Sequence, residues 1–195
     1  MTTLTPKQFA RAIKKAGRQL VHQEISRTMT MAALDTEARA KLNATNLLRV
    51  RSGRLRNSIV SHALFNAAGP NSGWELILKA GNTNDVRYAR IQEEGGTIRA
   101  KNAKFLAIPL DPGPAVTGAG VSRYSSPRQV PGLHVQGRGQ RLRLVDGEGR
   151  TWYVLRRSVN IKPKLYLRRA LDHTEANLPR QLAQALLTAI DKAGA

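Results

Sequence analysis

Hydrophobic positions along the chain first recur at helical spacing, then alternate, and finally return to helical spacing. Phe9, Ile13, Ala16 and Leu20 form one apolar seam; the stripe shifts to Val21, Ile25 and Met29 and resumes thinly through Ala33, Ala38 and Leu42. Thr5 and Gln8 form a capping box with Pro6 at the first helical position, and Leu4 with Phe9 supplies a hydrophobic staple. No proline follows until Pro70, and only Gly17 interrupts before Gly53, so the helix is predicted to reach about Leu48. Unbroken, it spans about 60 Å. That exceeds the need of a domain this size, so the helix is expected to break or to project onto a partner.

Arg49–Ile59 reads as a basic turn leading into a strand. Ile59–Phe65 and Trp74–Ala80 alternate as strands, joined by the Gly-, Asn- and Pro-rich loop Asn66–Gly73. In Val86–Leu110, Tyr88, Ala89 and Ile91 share one face of a short helical turn. Gly95-Gly96 ends it, because glycine takes positive φ without steric cost. Thr97 and Ile98 restart an extended chain, Arg99–Lys104 turns, and the apolar run Phe105–Ile108 stops at Pro109.

Beyond Pro109 the composition changes. Pro112, Pro114, Pro127 and Pro131, with several glycines, predict about thirty residues without regular structure at 111–140, an arm held in place by a partner. A hairpin follows: Arg141–Val145, the turn Asp146–Gly149, then Thr151–Val159. After Ile161-Lys162-Pro163, the positions Leu167, Leu171, Leu178, Leu182, Leu186 and Ile190 predict an amphipathic helix that Pro179 kinks or splits. The expected fold class is therefore α+β: a single domain over 1–195, with a small antiparallel sheet packed against a long N-terminal helix and a C-terminal helix, and an extended arm at about 111–140.

Composition sharpens this picture. The 195 residues are 41% hydrophobic but only 5% aromatic, so part of the burial is expected to be shared with neighbouring subunits. No apolar run approaches the roughly 18 residues of a membrane span. The start MTTLTPKQF lacks a signal-peptide core, so a soluble chain not secreted by that route, with no membrane partner, is expected. The absence of cysteine excludes disulfides and thiolate metal sites. Net charge is the strongest feature, 32 Lys+Arg against 13 Asp+Glu giving +19. That surplus calls for a polyanion or an acidic protein surface, and opposes self-association before a partner arrives. Val121–Arg157 is the densest basic region, with eight arginines (123, 128, 138, 141, 143, 150, 156, 157) against two acids.

Catalytic chemistry finds little support. The four histidines, 22, 62, 134 and 173, share no metal-ligand spacing, and His173-x-Glu175 alone is weak. There is no Walker loop and no G-x-S-x-G elbow; Gly137-x-Gly139 and Gly147-x-Gly149 read as turn glycines. Glu93-Glu94 is the only adjacent acid pair, reads as a partner for nearby arginines, and points its two side chains apart on a helix. The scattered carboxylates give no magnesium cluster. No enzyme activity and no cofactor are expected. Arg49, Arg51, Arg54 and Arg56 are open to two readings, as a phosphate clamp or as cations on a solvated helix end.

Four segments carry a family resemblance. Tyr88-Ala89-x-Ile91-Gln92-x-x-Gly95-Gly96-Thr97 followed by Phe105-Leu106-Ala107-Ile108-Pro109-Leu110 resembles the tail-completion, or virion-morphogenesis, proteins of tailed bacteriophages. Arg51-Ser52-Gly53-Arg54-Leu55-Arg56-Asn57-Ser58-Ile59 is similar to the TGRLRNSI segment between that family's first helix and its sheet, with Ser52 replacing threonine. Ile161-Lys162-Pro163-Lys164-Leu165-Tyr166-Leu167 is similar to its closing I-x-P-R-P-F-L junction, with Leu165 and Tyr166 replacing proline and phenylalanine. The likeness runs from about Leu42 to Leu171, with 111–140 as an insertion.

The resemblance implies a structural protein of the virion neck: a head-tail joining or minor tail protein in a closed, six-fold homo-oligomeric ring. Its implied partners are the connector or head-completion protein, the tail terminator or tail tube protein, and genomic double-stranded DNA in the lumen. It implies location in the virion, after assembly in the host cytoplasm. Gly53, Leu55, Tyr88, Ala89, Gly95, Gly96, Pro109 and Pro163 are then structural motif positions. Arg49, Arg51, Arg54, Arg56, Arg123, Arg128, Arg138, Arg141, Arg143 and Arg150 are candidate contacts to DNA or to other subunits. Two rivals stand beside this reading: a sequence-independent nucleic-acid-binding protein, which the charge favours, and a nuclease or hydrolase.

Overall fold

The computed structural model describes residues 6–48, 52–67, 73–81, 86 and 88–194. Its architecture is α+β, with two long terminal helices and small antiparallel sheets. Helix α1, Pro6–Leu47, is unbroken over 42 residues. Helix α4, Tyr166–Gly194, packs against it and continues through Pro179 without splitting. The two run antiparallel, because Asn43 pairs with the Tyr166 carbonyl, Thr36 with Thr174, and Glu24 with Lys192. Past the Glu24–Lys192 pair α1 continues to Pro6, so its first turns extend beyond the α4 partner they would otherwise meet.

The seam between these helices keeps Met29 and Ala33 from the predicted stripe and otherwise differs from it. Its buried residues are Met29, Ala32, Ala33, Thr36, Ala40 and Ala44 on α1, and Tyr166, Ala170, Thr174, Ala185 and Ala189 on α4. The predicted members Leu42 and Ile190 instead point outward, 59% and 62% exposed, as does Leu186. Small side chains let the helix axes approach closely, and that contact outweighs burial of the bulkier residues on the outer faces. At the centre the Thr36 and Thr174 hydroxyls meet at 2.6 Å, one donating to the other, and each also lies within hydrogen-bond reach of its own preceding-turn carbonyl, Ala32 or Ala170. Side chains of the capping residues Leu4, Thr5 and Gln8 and of Phe9, Ile13 and Ala16 lie outside the described residues.

Between the helices the chain forms small elements. Arg54–Asn57 is a single helical turn, α2, rather than a basic turn running straight into a strand. Gly53 enters it at φ 70, and Leu55 is buried beneath it. Strands β1, Val60–Asn66, and β2, Gly73–Lys79, form a hairpin over α1. Glu37 on α1 ties the hairpin down by accepting from the Ser61 N–H at 2.8 Å and from Lys41 Nζ at 2.6 Å. Those two donors, Lys41 first, hold its carboxylate below the usual range. At the far end His22 packs against Phe65 and Trp74.

Helix α3, Ala89–Glu94, ends at Gly95 with φ 73, followed by Gly96 at φ 140. Among the described residues the strands of the predicted small antiparallel sheet divide into three antiparallel sheets. Strand β3, Gly96–Arg99, pairs with β8, Ser158–Ile161. A separate four-stranded sheet has the order β4–β7–β6–β5, formed by Leu106–Pro109, Thr151–Arg156, Arg143–Val145 and His134–Gln136. The predicted continuous strand Thr151–Val159 is interrupted at Arg157, where the chain passes from one sheet to the other. Residues 111–140, expected to lack regular structure, hold several local elements. Val116 bridges Ser122 across a turn, Pro127–Gln129 is a 3₁₀ turn capped by Ser126, and His134–Gln136 is the edge strand β5. Ala115 and Val116 are buried there.

The main core lies where these pieces meet: Ala40, Ala44, Leu55, Ile59, Val86, Ala89, Tyr166 and Ala170. Glu93 closes the junction by accepting from the backbone N–H groups of Leu167 and Arg168, both at 2.9 Å. It therefore caps α4, whose positive dipole end favours a carboxylate. The expected arginine partnership belongs instead to Glu94, which pairs with Arg90. A Cβ on Gly95 would lie 2.7 Å from the Ile161 carbonyl oxygen and 2.8 Å from Pro163, so only glycine fits this crossing. The Tyr166 hydroxyl donates to the Ala89 carbonyl, and burial, with the Glu93 charge adding to it, pushes its phenol pKa well up.

Candidate functional site

The four-stranded sheet segregates charge along its strands. Leu106 pairs with Arg156 and Val154 with Arg143, so the start of β4, the end of β7 and the start of β6 share one end of the sheet. Lys104, Arg143, Arg156 and Arg157 gather there, and Arg141 joins them from the 3₁₀ turn Gly139–Arg141. Two adjoining depressions, about 690 and 460 Å³, open at this end and share Gln140, Leu142 and Arg156 as walls. Among the described residues no carboxylate lines either one. Among the described residues none of these five cations has an acidic partner. Arg143 donates to Gln136 Oε1 at 3.0 Å, and Arg156 to the Leu155 carbonyl at 3.0 Å, which orients both guanidinium groups.

The opposite end of the sheet is internally neutralised. In the β6–β7 turn, Asp146 accepts from Trp152 Nε1 at 2.9 Å, from Arg150 Nε at 2.7 Å and from the backbone N–H groups of Glu148 and Arg150. The Trp152 hydrogen bond, followed by the contacts from Arg150, holds this carboxylate far below its ordinary range. Glu148 lies 3.3 Å from the same arginine. Arg150 is thus engaged in holding a turn together.

The candidate arginines therefore separate. Arg141 and Arg143 lie in the cationic end, and Arg138 immediately precedes the 3₁₀ turn that carries Arg141. Arg123 is held by the Val116 carbonyl at 2.9 Å and braces the 115–123 turn. Arg128 is exposed on the other 3₁₀ turn. Arg54 and Arg56 rim a different cleft together with Gly53, Leu55 and Tyr88. Arg49 and Arg51 lie outside the described residues. The motif positions Leu55, Ala89, Gly95 and Pro163 come together at the core junction, whereas Pro109 ends β4 and is not a member of that core cluster.

Sequence reasoning missed Lys104 and did not single out Arg156 and Arg157. Their grouping depends on the register of three strands, which no local pattern encodes. A cluster of guanidinium groups without carboxylates can hold phosphate or carboxylate oxygens bidentately and without base selectivity. Among the described residues no helix is long and apolar enough to cross a membrane. Comparison with protein-family models, with curated proteins and with solved structures finds no match to this chain.

Proposed function

We propose that the chain is a structural protein of the bacteriophage neck, forming a closed six-fold ring that completes the tail and joins it to the head connector. DNA passes through the ring, and the protein makes or breaks no bonds. The observation that carries this reading is the convergence of three of the four motif segments. Leu55 and Ile59 from the first, Ala89 and Gly95 from the second, and Pro163 and Tyr166 from the last meet in one packed junction. Residues that share a motif for structural reasons should meet in this way.

The cationic sheet end fits a wall facing the DNA duplex or an acidic neighbour, and the exposed Leu42, Leu186 and Ile190 fit subunit contacts. Native mass spectrometry of the purified protein, alone and mixed with connector complexes, tests the assignment, followed by placement in a virion map. A closed ring that docks on the connector is expected. A chain that stays monomeric with every neck component overturns the assignment. The sequence-independent nucleic-acid-binding alternative is favoured by the unpaired cations at the sheet end. A monomer that binds duplex with a steep salt dependence would establish it.

A further inference from the structure

A cleft of about 610 Å³ opens where the end of α1, α2, α3 and the 121–122 turn converge, away from the cationic sheet end. Its floor is apolar, with Ala44 and Leu55 buried. Tyr88 and Val121 wall it and are 40% and 39% exposed, large apolar surfaces left open to solvent. Arg54 and Arg56 stand exposed at the rim. Among the described residues neither arginine has an acidic partner and no carboxylate lines the cleft.

We propose that this cleft docks an acidic peptide segment of a partner protein, seating one apolar side chain between Tyr88 and Val121 while flanking carboxylates meet Arg54 and Arg56. Apolar burial supplies the anchor and the guanidinium groups supply orientation and selectivity. A second copy of this chain is the poorer occupant of this cleft, because with 13 Asp+Glu against 32 Lys+Arg it offers few carboxylates to a positive rim. The inference does not depend on the neck assignment, since it concerns only what the cleft recognises.

The test uses the full chain and a fluorescein-labelled ten-residue peptide carrying Leu and Phe at its centre, flanked by Asp and Glu. One control peptide replaces the acids by Lys, and another replaces Leu and Phe by Ser. Fluorescence anisotropy is expected to show saturable binding of the first peptide alone. Arg54→Glu with Arg56→Glu should weaken it by about tenfold or more, as should Tyr88→Ala. These positions are exposed enough for the variants to keep the parent circular dichroism and melting temperature. Arg141→Glu with Arg143→Glu, at the sheet end, should leave the affinity unchanged. Equal binding of the Ser-substituted peptide, loss of binding through Arg141 and Arg143 instead, or self-association of the chain that Tyr88→Ala abolishes would each overturn the proposal. So would absence of binding by the acidic peptide.

Discussion

Leu165 holds its backbone at φ 53, a conformation that a branched L-residue adopts only where its surroundings fix it. Here they do: its N–H donates to the Glu93 carbonyl, and its own carbonyl accepts from Arg169 in the first turn of α4. The resembled motif carries proline at this place. Proline locks φ near −65° and has no N–H, so Leu165→Pro should destabilise the fold by roughly 3 kcal/mol or more. Leu165→Gly should be neutral or slightly stabilising. Urea midpoints of the two variants decide it, and an unchanged midpoint for the proline variant would refute this account of the junction. The Thr36–Thr174 pair permits a second test. Either single valine substitution removes the bond between the helices while the remaining hydroxyl keeps its own carbonyl partner, and should cost about 1 kcal/mol. The double substitution should cost clearly less than the two singles together, because it removes both polar groups at once.

Among the elements, the β6–β7 turn depends most on one ionised group. The folded pKa of Asp146 is depressed, so its contribution is complete above the ordinary aspartate value near about 4 and fades as pH falls from there towards the lower folded value. Asp146→Asn should therefore melt below the parent protein at neutral pH, and the gap should narrow as the solution is acidified below about pH 4. A constant gap across that range would contradict the assignment of the Trp152 and Arg150 contacts to the charged form. Most elements were legible in the pattern of residues. Gly95-Gly96 marked the end of α3, the alternation of Trp74 with Leu76 and Leu78 marked β2, and the proline-free stretch after Pro6, with Gly17 its one interruption before Gly53, marked α1. The helix seams were only partly legible, at Met29 and Ala33. Both faces of α1 carry apolar residues, and the predicted stripe followed Ala38 and Leu42, which are exposed, whereas close helix packing selects the small Ala40 and Ala44. The break at Arg157 was hidden for a similar reason, because alternation continues across it while the partner strand changes from β4 to β3.

Across the whole molecule, the candidate interface was half readable. The basic richness of 121–157 pointed to Arg141 and Arg143, but composition alone cannot tell a free guanidinium from one engaged in a turn, and it grouped Arg150 with them. The difference can be measured. If the sheet end contacts phosphates, Arg141→Glu with Arg143→Glu should lower duplex affinity and reduce the slope of log affinity against log salt by about two. Arg150→Ala should leave both nearly unchanged, since that side chain already faces Asp146 and Glu148. Equal effects of the two changes would dissolve the distinction. A sheet that is positive at one end and neutralised at the other also acts as a small compass needle. In the field of a long polyanion it experiences a torque during approach, so the molecule arrives already turned with that end forward, and adding salt would slow well-aimed encounters before it loosened the bound state.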